Sequence, residues 1–218
     1  KIKIFTISIL MSLAIFSNAQ ITITKANLPT AGFIFSRVYD TLRDGSITIG
    51  TSGANQTWDY TKLKPGTAQG EDIVSPSSTP YSTAFPGSNI CSFVKRTNQY
   101  MYYAINNDSI YVLGAMVPGP TGILMPFHYV NPMIVVSFPS TYNTTANDNS
   151  NLIIKMPNPQ PGIDTMMMKS NYKVKRTFSG WGTVKLPSGD YPALRVSETE
   201  LSTTENSIFW TNPATQQK

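Results

Sequence analysis

Glu198 and Glu200 stand two positions apart in the run Tyr191 to Ser202, which alternates as a β-strand does. On a strand that spacing puts two carboxyl groups on one face at about 6 to 7 Å. Hydrolysis of a glycosidic bond uses two carboxyl groups about 5 to 9 Å apart, one as acid and the other as nucleophile or base. They are therefore the best local pair for such chemistry. The same alternation aligns them with Leu194 and Val196, so either a bulge intervenes or the strand leaves the core near Ser197. The competing reading is two exposed acids on a strand end. Glu71 and Asp72 are adjacent, and adjacent strand residues point to opposite faces.

The remaining reactive side chains are few. One His and one Cys in 218 residues exclude a cysteine-rich zinc module, a disulfide framework and any site that needs two histidines. A serine hydrolase would have to use His128 as its base, yet no Gly-x-Ser-x-Gly turn exists to present a nucleophile. His128 reads as a packed or partly exposed loop residue. Cys91, beside Ile90, Phe93 and Val94, reads as a small buried apolar residue rather than a nucleophile. Asn147, Asp148 and Asn149 form the one dense oxygen patch, but without the Gly and distal Glu of a calcium loop they read as a polar turn. No Gly-rich phosphate loop opens a helix. No cofactor and no metal is expected.

For ligand binding, the aromatic residues Tyr100, Tyr102, Tyr103 and Tyr111 concentrate on one predicted hairpin, where Tyr100 and Tyr102 share a face. Such a surface stacks sugars or anchors a surface protein, although cross-strand aromatic pairs also simply stabilise a sheet. The basic run Lys169, Lys173, Lys175 and Arg176, with Tyr172 and Phe178 interleaved, is a pattern that can hold a nucleic-acid backbone. Lys173 and Lys175 are two apart, however, and line one solvated strand face, so a charged outer sheet face is the better account and no nucleic acid is expected.

Strand signals position these groups. Runs rich in Val, Ile, Thr, Tyr or Phe and bounded by Gly, Pro, Asn or Ser recur: 21–24, 33–41, 46–50, 56–60, 100–106, 109–114, 133–138, 166–178, 182–186, 191–202 and 207–211. No stretch keeps helical apolar spacing for three turns, though a short turn near Thr79 to Phe85 fits its prolines. Asn106-Asn107-Asp108 and Pro187-Ser188-Gly189-Asp190 read as hairpin turns. The pattern predicts one all-β domain over residues 20–218, an antiparallel β-sandwich. Lys62 to Asn89 and Thr141 to Ile163 are too polar and proline-rich to be buried and read as surface loops.

Residues 1–19 have a basic start at Lys1 and Lys3, an uncharged apolar stretch from Ile4 to Phe16, and the small-x-small ending Ser17-Asn18-Ala19. That is the form of a secretory signal peptide cleaved after Ala19. About 13 apolar-rich residues fall short of the roughly 20 that span a bilayer, and no later segment does better. Cleavage lowers the net charge from +5 to +3, leaving 15 basic and 12 acidic residues.

Three residue groups have a familiar form: Gln20-Ile21-Thr22-Ile23-Thr24 with Leu28-Pro29-Thr30-Ala31-Gly32; Gly53-Ala54-Asn55-Gln56-Thr57-Trp58-Asp59-Tyr60; and Gly180 to Gly189 running into Tyr191, Leu194, Arg195 and Val196. Together they resemble a large group of uncharacterised secreted proteins of Bacteroidetes that use the type IX secretion route. The resemblance implies a β-rich region that members pair with a C-terminal sorting domain, which is not visible before Lys218, and it carries over no catalytic residue. Its motifs are structural: Trp58 and Trp181 are expected as core anchors, and Gly53, Gly182 and Gly189 at positions of unusual φ. It also implies O-glycosylation at Asp followed by Ser or Thr and then an apolar residue or Thr, which gives Thr41, Ser109 and Thr165. The expectation is an exported, non-catalytic module with a binding, adhesion or structural role at the cell surface. The alternative is a secreted hydrolase whose carboxylates are assembled from distant strands.

Overall fold

The computed structural model describes residues 21–40, 47–64, 66–119 and 122–210, so the leader and Thr41 lie outside the described residues. Ten strands join in one sheet: β1 (Ile34–Arg37), β2 (Gly53–Asp59), β3 (Gln69–Val74), β4 (Ile90–Val94), β5 (Gln99–Ile105), β6 (Ser109–Pro118), β7 (Leu124–Ser137), β8 (Thr145–Gln160), β9 (Ile163–Leu186) and β10 (Gly189–Phe209). The order is β1-β3-β4-β5-β6-β7-β8-β9-β10, antiparallel throughout, and β2 adds to β9 in parallel. The all-β architecture is as expected. The helices among the described residues are four single 3₁₀ turns.

β9 is the strand that ties the chain together. Over Thr165–Thr177 its free edge pairs with β8, and over Gly180–Lys185 it pairs with β2, while β10 runs along the other edge throughout. The change of partner falls at a bulge, where Ser179 has no opposite number between Phe178↔Val196 and Gly180↔Arg195. An extra residue in one strand bends it and adds twist. Arg195 fastens the bend, its guanidinium donating to the hydroxyls of Ser179 at 2.9 Å and Ser52 at 2.6 Å. Beyond the bend β2 lies so close to β9 that a Cβ on Gly182 would sit 1.9 Å from the Gln56 carbonyl oxygen. Only glycine permits that approach.

The turns read from the sequence are present. The Asn106 side-chain oxygen accepts from the backbone of Asp108 and Ser109 and closes the β5–β6 hairpin, and Pro187-Ser188 links β9 to β10. Gly53, Gly182 and Gly189 all have positive φ, as expected.

Four expectations change. The stretch 62–89 is not a solvated loop: it contains β3, and its Pro76, Thr79 and Phe85 are buried. Phe85 closes the core of Cys91, Tyr102 and Met116, so the prolines fix a cap on the sheet instead of an exposed excursion. The stretch 141–163 holds the 16-residue β8, because its polar residues alternate with Ala146, Leu152, Ile154 and Met156 and supply the solvent side of a strand. The run expected at 46–50 forms no strand over its described residues 47–50. Trp58 is a core residue, but Trp181 is only half-buried.

β7 carries two prolines, neither of which can donate a backbone hydrogen bond: Pro126 stands opposite Met116 within the β6 ladder, and Pro132 falls at a break in it. Its pairing with β6 jumps from Gly114↔His128 to Val112↔Met133, leaving residues 129–132, including Pro132, outside that ladder. Among the described residues no helix is long and apolar enough to cross a membrane.

Candidate functional site

β1, β3, β4 and β5 lie side by side at one end of the sheet, with the 3₁₀ turn Lys25–Asn27 and Leu28 against them. Strand alternation places Glu71 and Ile73 of β3, Ile90 and Ser92 of β4, and Met101 and Tyr103 of β5 on the same face. Between this face and Leu28, Pro29 and Phe35 lies a cavity of about 190 Å³, walled also by Ile105, Ile110 and Val135. Its polar floor is Arg37, Glu71, Ser92 and Tyr103, and the same four residues line a second cavity of about 210 Å³ on their other side.

Glu71 is the centre of the floor and is 6% exposed. Burial of an ionised carboxylate is costly unless it is paired and hydrogen-bonded. Both conditions are met: the Arg37 guanidinium forms an ion pair with Oε2, and the Ser92 hydroxyl donates to Oε1. Oε2 receives no aligned hydrogen bond beyond that charge contact. Arg37 comes from β1, an edge strand of four residues, and its side chain is 55% exposed. The buried charge is thus compensated from the surface side. Tyr103 completes the floor, its hydroxyl 2.9 Å from the Met101 sulfur. Burial, reinforced by the negative charge of Glu71, pushes its phenol up to about 12. Chemically the floor offers a fixed carboxylate, two hydroxyls and one guanidinium at the base of apolar walls. No family model, curated protein or solved structure matches this chain.

The residues singled out from sequence are distributed differently. Tyr102 does not form a surface: it is fully buried, Phe85 stacks on it at 4.3 Å, and its hydroxyl bonds to Thr79 at 2.6 Å. Tyr100 is half-buried between Phe93 and Tyr81, on the same face as Tyr102. Tyr103 faces the opposite side into the cavities, and Tyr111 pairs with Ala104 rather than with Tyr102 or Tyr103. The hairpin therefore divides its rings between the core and the Glu71 floor and presents no tyrosine platform. Ser109, one of the expected glycosylation positions, is 4% exposed, with its hydroxyl donating to the Asp108 carbonyl at 2.6 Å. Thr165 is half-buried on β9, between Pro157 and Phe209.

Glu198 and Glu200 are exposed; of the two expected alternatives, a bulge is present at Arg195/Val196, and the strand is also exposed from Val196 to Asn206. Glu198 is engaged by Arg176. Glu71 and Asp72 do point to opposite faces, each with its own cation: Arg37 for the first and Lys95, at 2.7 Å, for the second. His128 is not a loop residue. It is exposed on β7 with its ring 4.7 Å from Phe85. Asn147, Asp148 and Asn149 are strand residues, not a turn, and Asp148 accepts the Ile134 amide at 3.1 Å. Among the described residues no group of three or more His, Cys, Asp or Glu could hold a metal ion.

Glu71 as the centre of a pocket has no signature in the sequence. Its strand lies in a stretch whose Ser, Thr, Gly and Pro content resembles a loop, and Arg37 is 34 positions away from it. The one usable signal is the two-residue spacing of Glu71 and Ile73, which puts them on one strand face, just before Val74-Ser75-Pro76.

Proposed function

We propose that this chain is an exported, non-catalytic β-sheet module that binds a partner or ligand at or beyond the outer cell surface, with the Glu71 pocket as its recognition site. The observation that carries the reading is the make-up of the pocket: apolar walls around one carboxylate that is already neutralised. A preformed apolar concavity with a few convergent polar groups is the usual form of a binding site. A carboxylate held by both a guanidinium and a hydroxyl is a fixed polar point against which a ligand can be oriented.

The volume sets the size of the guest. An apolar cavity of about 150 Å³ accommodates benzene, so about 190 Å³ fits one ring or a short branched chain with a polar tip. An anchoring side chain of a surface protein, or the apolar end of a glycoconjugate, has those dimensions. Export is supported by the leader at residues 1–19, and a type IX secreted protein by the resemblance drawn above.

A thermal-shift screen of ring-sized fragments against the wild type and Ile110→Trp, which enlarges a side chain in the cavity wall, tests this reading. Fragments that raise the midpoint of the wild type alone support it. Hydrolysis of a polysaccharide or peptide substrate that Glu71→Gln abolishes would establish an enzyme instead.

A further inference from the structure

The opposite end of the sheet carries a second feature, independent of the pocket. Over β8, β9 and β10 the register holds without interruption from Asn147↔Lys175↔Thr199 to Lys155↔Met167↔Ser207. Five rows of three residues therefore share one face, while Leu152, Ile154 and Val174 on the reverse side are buried. This face carries Lys155, Lys169, Lys173 and Lys175 against a single carboxylate, Glu205. All four lysines are exposed, and none takes part in an ion pair among the described residues. Arg176, which does, projects from the other face toward Glu198.

The amides on this face are held in place. Asn131 donates to the Asn151 side-chain oxygen at 2.8 Å, and Asn151 donates in turn to Asn171. The ladder crosses from β7 to β9 and ends at Asn171, between Lys169 and Lys173. Lys169, Asn171, Lys173 and Lys175 then form a straight row of donors about 20 Å long, at about 6.6 Å per step. Like charges so close repel one another unless an anion lies over them.

We propose that the β8–β9–β10 face binds an acidic polysaccharide, with lysines meeting the carboxylate or sulfate groups and the asparagine and threonine side chains meeting the hydroxyls. The missing aromatics choose among polymers. The five rows contain no aromatic residue, and the first on this face, Phe209, lies one row beyond them. Single-stranded nucleic acid is held by successive rings on which bases stack, and an uncharged glycan would leave the lysines unanswered. A polyanion rich in hydroxyls satisfies both sets of donors.

Affinity is measured on immobilised heparin, polygalacturonate, dextran and oligothymidylate. Three forms are compared: the wild type; K155Q/K169Q/K173Q/K175Q; and the charge-matched K25Q/K62Q/K64Q/R96Q, whose changes lie elsewhere. Expected is binding to heparin and polygalacturonate but not dextran, with a slope of log affinity on log salt of about −2 to −3. The face variant should lose roughly a hundredfold and the control variant far less. K173Q/K175Q, which changes only two exposed side chains, should lose about tenfold and guards against a folding defect in the quadruple variant. Equal losses in the face and control variants, no binding at low salt, or tighter binding of oligothymidylate than of heparin would each overturn the proposal.

Discussion

Phe85 lies flat on Tyr102, with ring centroids 4.3 Å apart and planes 11° from parallel, and the Tyr102 hydroxyl is bound to Thr79 from the same capping segment. One residue from the segment 76–88 thus covers one of the four rings expected to form the hairpin's binding surface, and a second satisfies its side chain's only polar atom. Tyr102→Ala should lower stability by about 3 to 5 kcal/mol, the range for removing a buried aromatic, and Tyr102→Phe by about 1 kcal/mol. Urea unfolding with constant m-value checks both.

Gly114 lies beneath the same cap. A Cβ there would approach the Phe127 carbonyl oxygen to 2.0 Å and Phe85 to 2.6 Å. The backbone oxygen cannot retreat without breaking the β6–β7 ladder, so Gly114→Ala should cost about 2 kcal/mol or more. Gly70→Ala, where nothing lies within 4 Å of the added carbon, should change little. Denaturation midpoints of the two variants measured side by side provide the comparison.

Alkaline pH should destabilise the protein. Burial pushes the Cys91 thiol from 9.0 up to about 12, and the Tyr102 and Tyr103 phenols from 10.0 up to about 12. The unfolded chain therefore loses these protons first, and stability, full below about pH 9, falls as pH rises toward 12. In Cys91→Ala the fall should begin about one pH unit later. The wild-type thiol should stay inert to a water-soluble disulfide reagent until the chain unfolds. Urea midpoints between pH 8 and 11, and thiol titration with and without denaturant, give the two readouts.

The Arg37–Glu71 pair should show a modest coupling. Glu71 is buried, but Arg37 is more than half exposed, so solvent screens much of the attraction. A double-mutant cycle with Arg37→Gln and Glu71→Gln should give about 1 to 2 kcal/mol, and Arg37→Gln alone should be the more damaging single change because it leaves a charge buried.

Strand type, turn chemistry and the outward lysines were legible in the sequence because each is local. Alternation marks Lys169, Lys173 and Lys175, and the Asn106 turn needs only its own neighbours. Burial was not legible where composition imitates solvent: Pro76, Thr79 and Phe85 sit in a polar, proline-rich stretch yet close the core, and Asn147, Asn149 and Asn151 form the wet side of a strand whose dry side holds Ser150 and Leu152. The pocket was hidden for a related reason. Its floor joins Arg37, Glu71, Ser92 and Tyr103 from four strands, and only the β1-β3-β4-β5 order brings them together.

The recognition pocket is tested most directly by methyl NMR of isoleucine-labelled protein titrated with a fragment that raises its melting midpoint. The predicted result is that Ile73, Ile90, Ile105 and Ile110, which wall the cavity, shift together with one binding constant while Ile123, Ile153 and Ile208 stay in place. Shifts confined to the distant methyls, or spread evenly over all of them, would contradict the account.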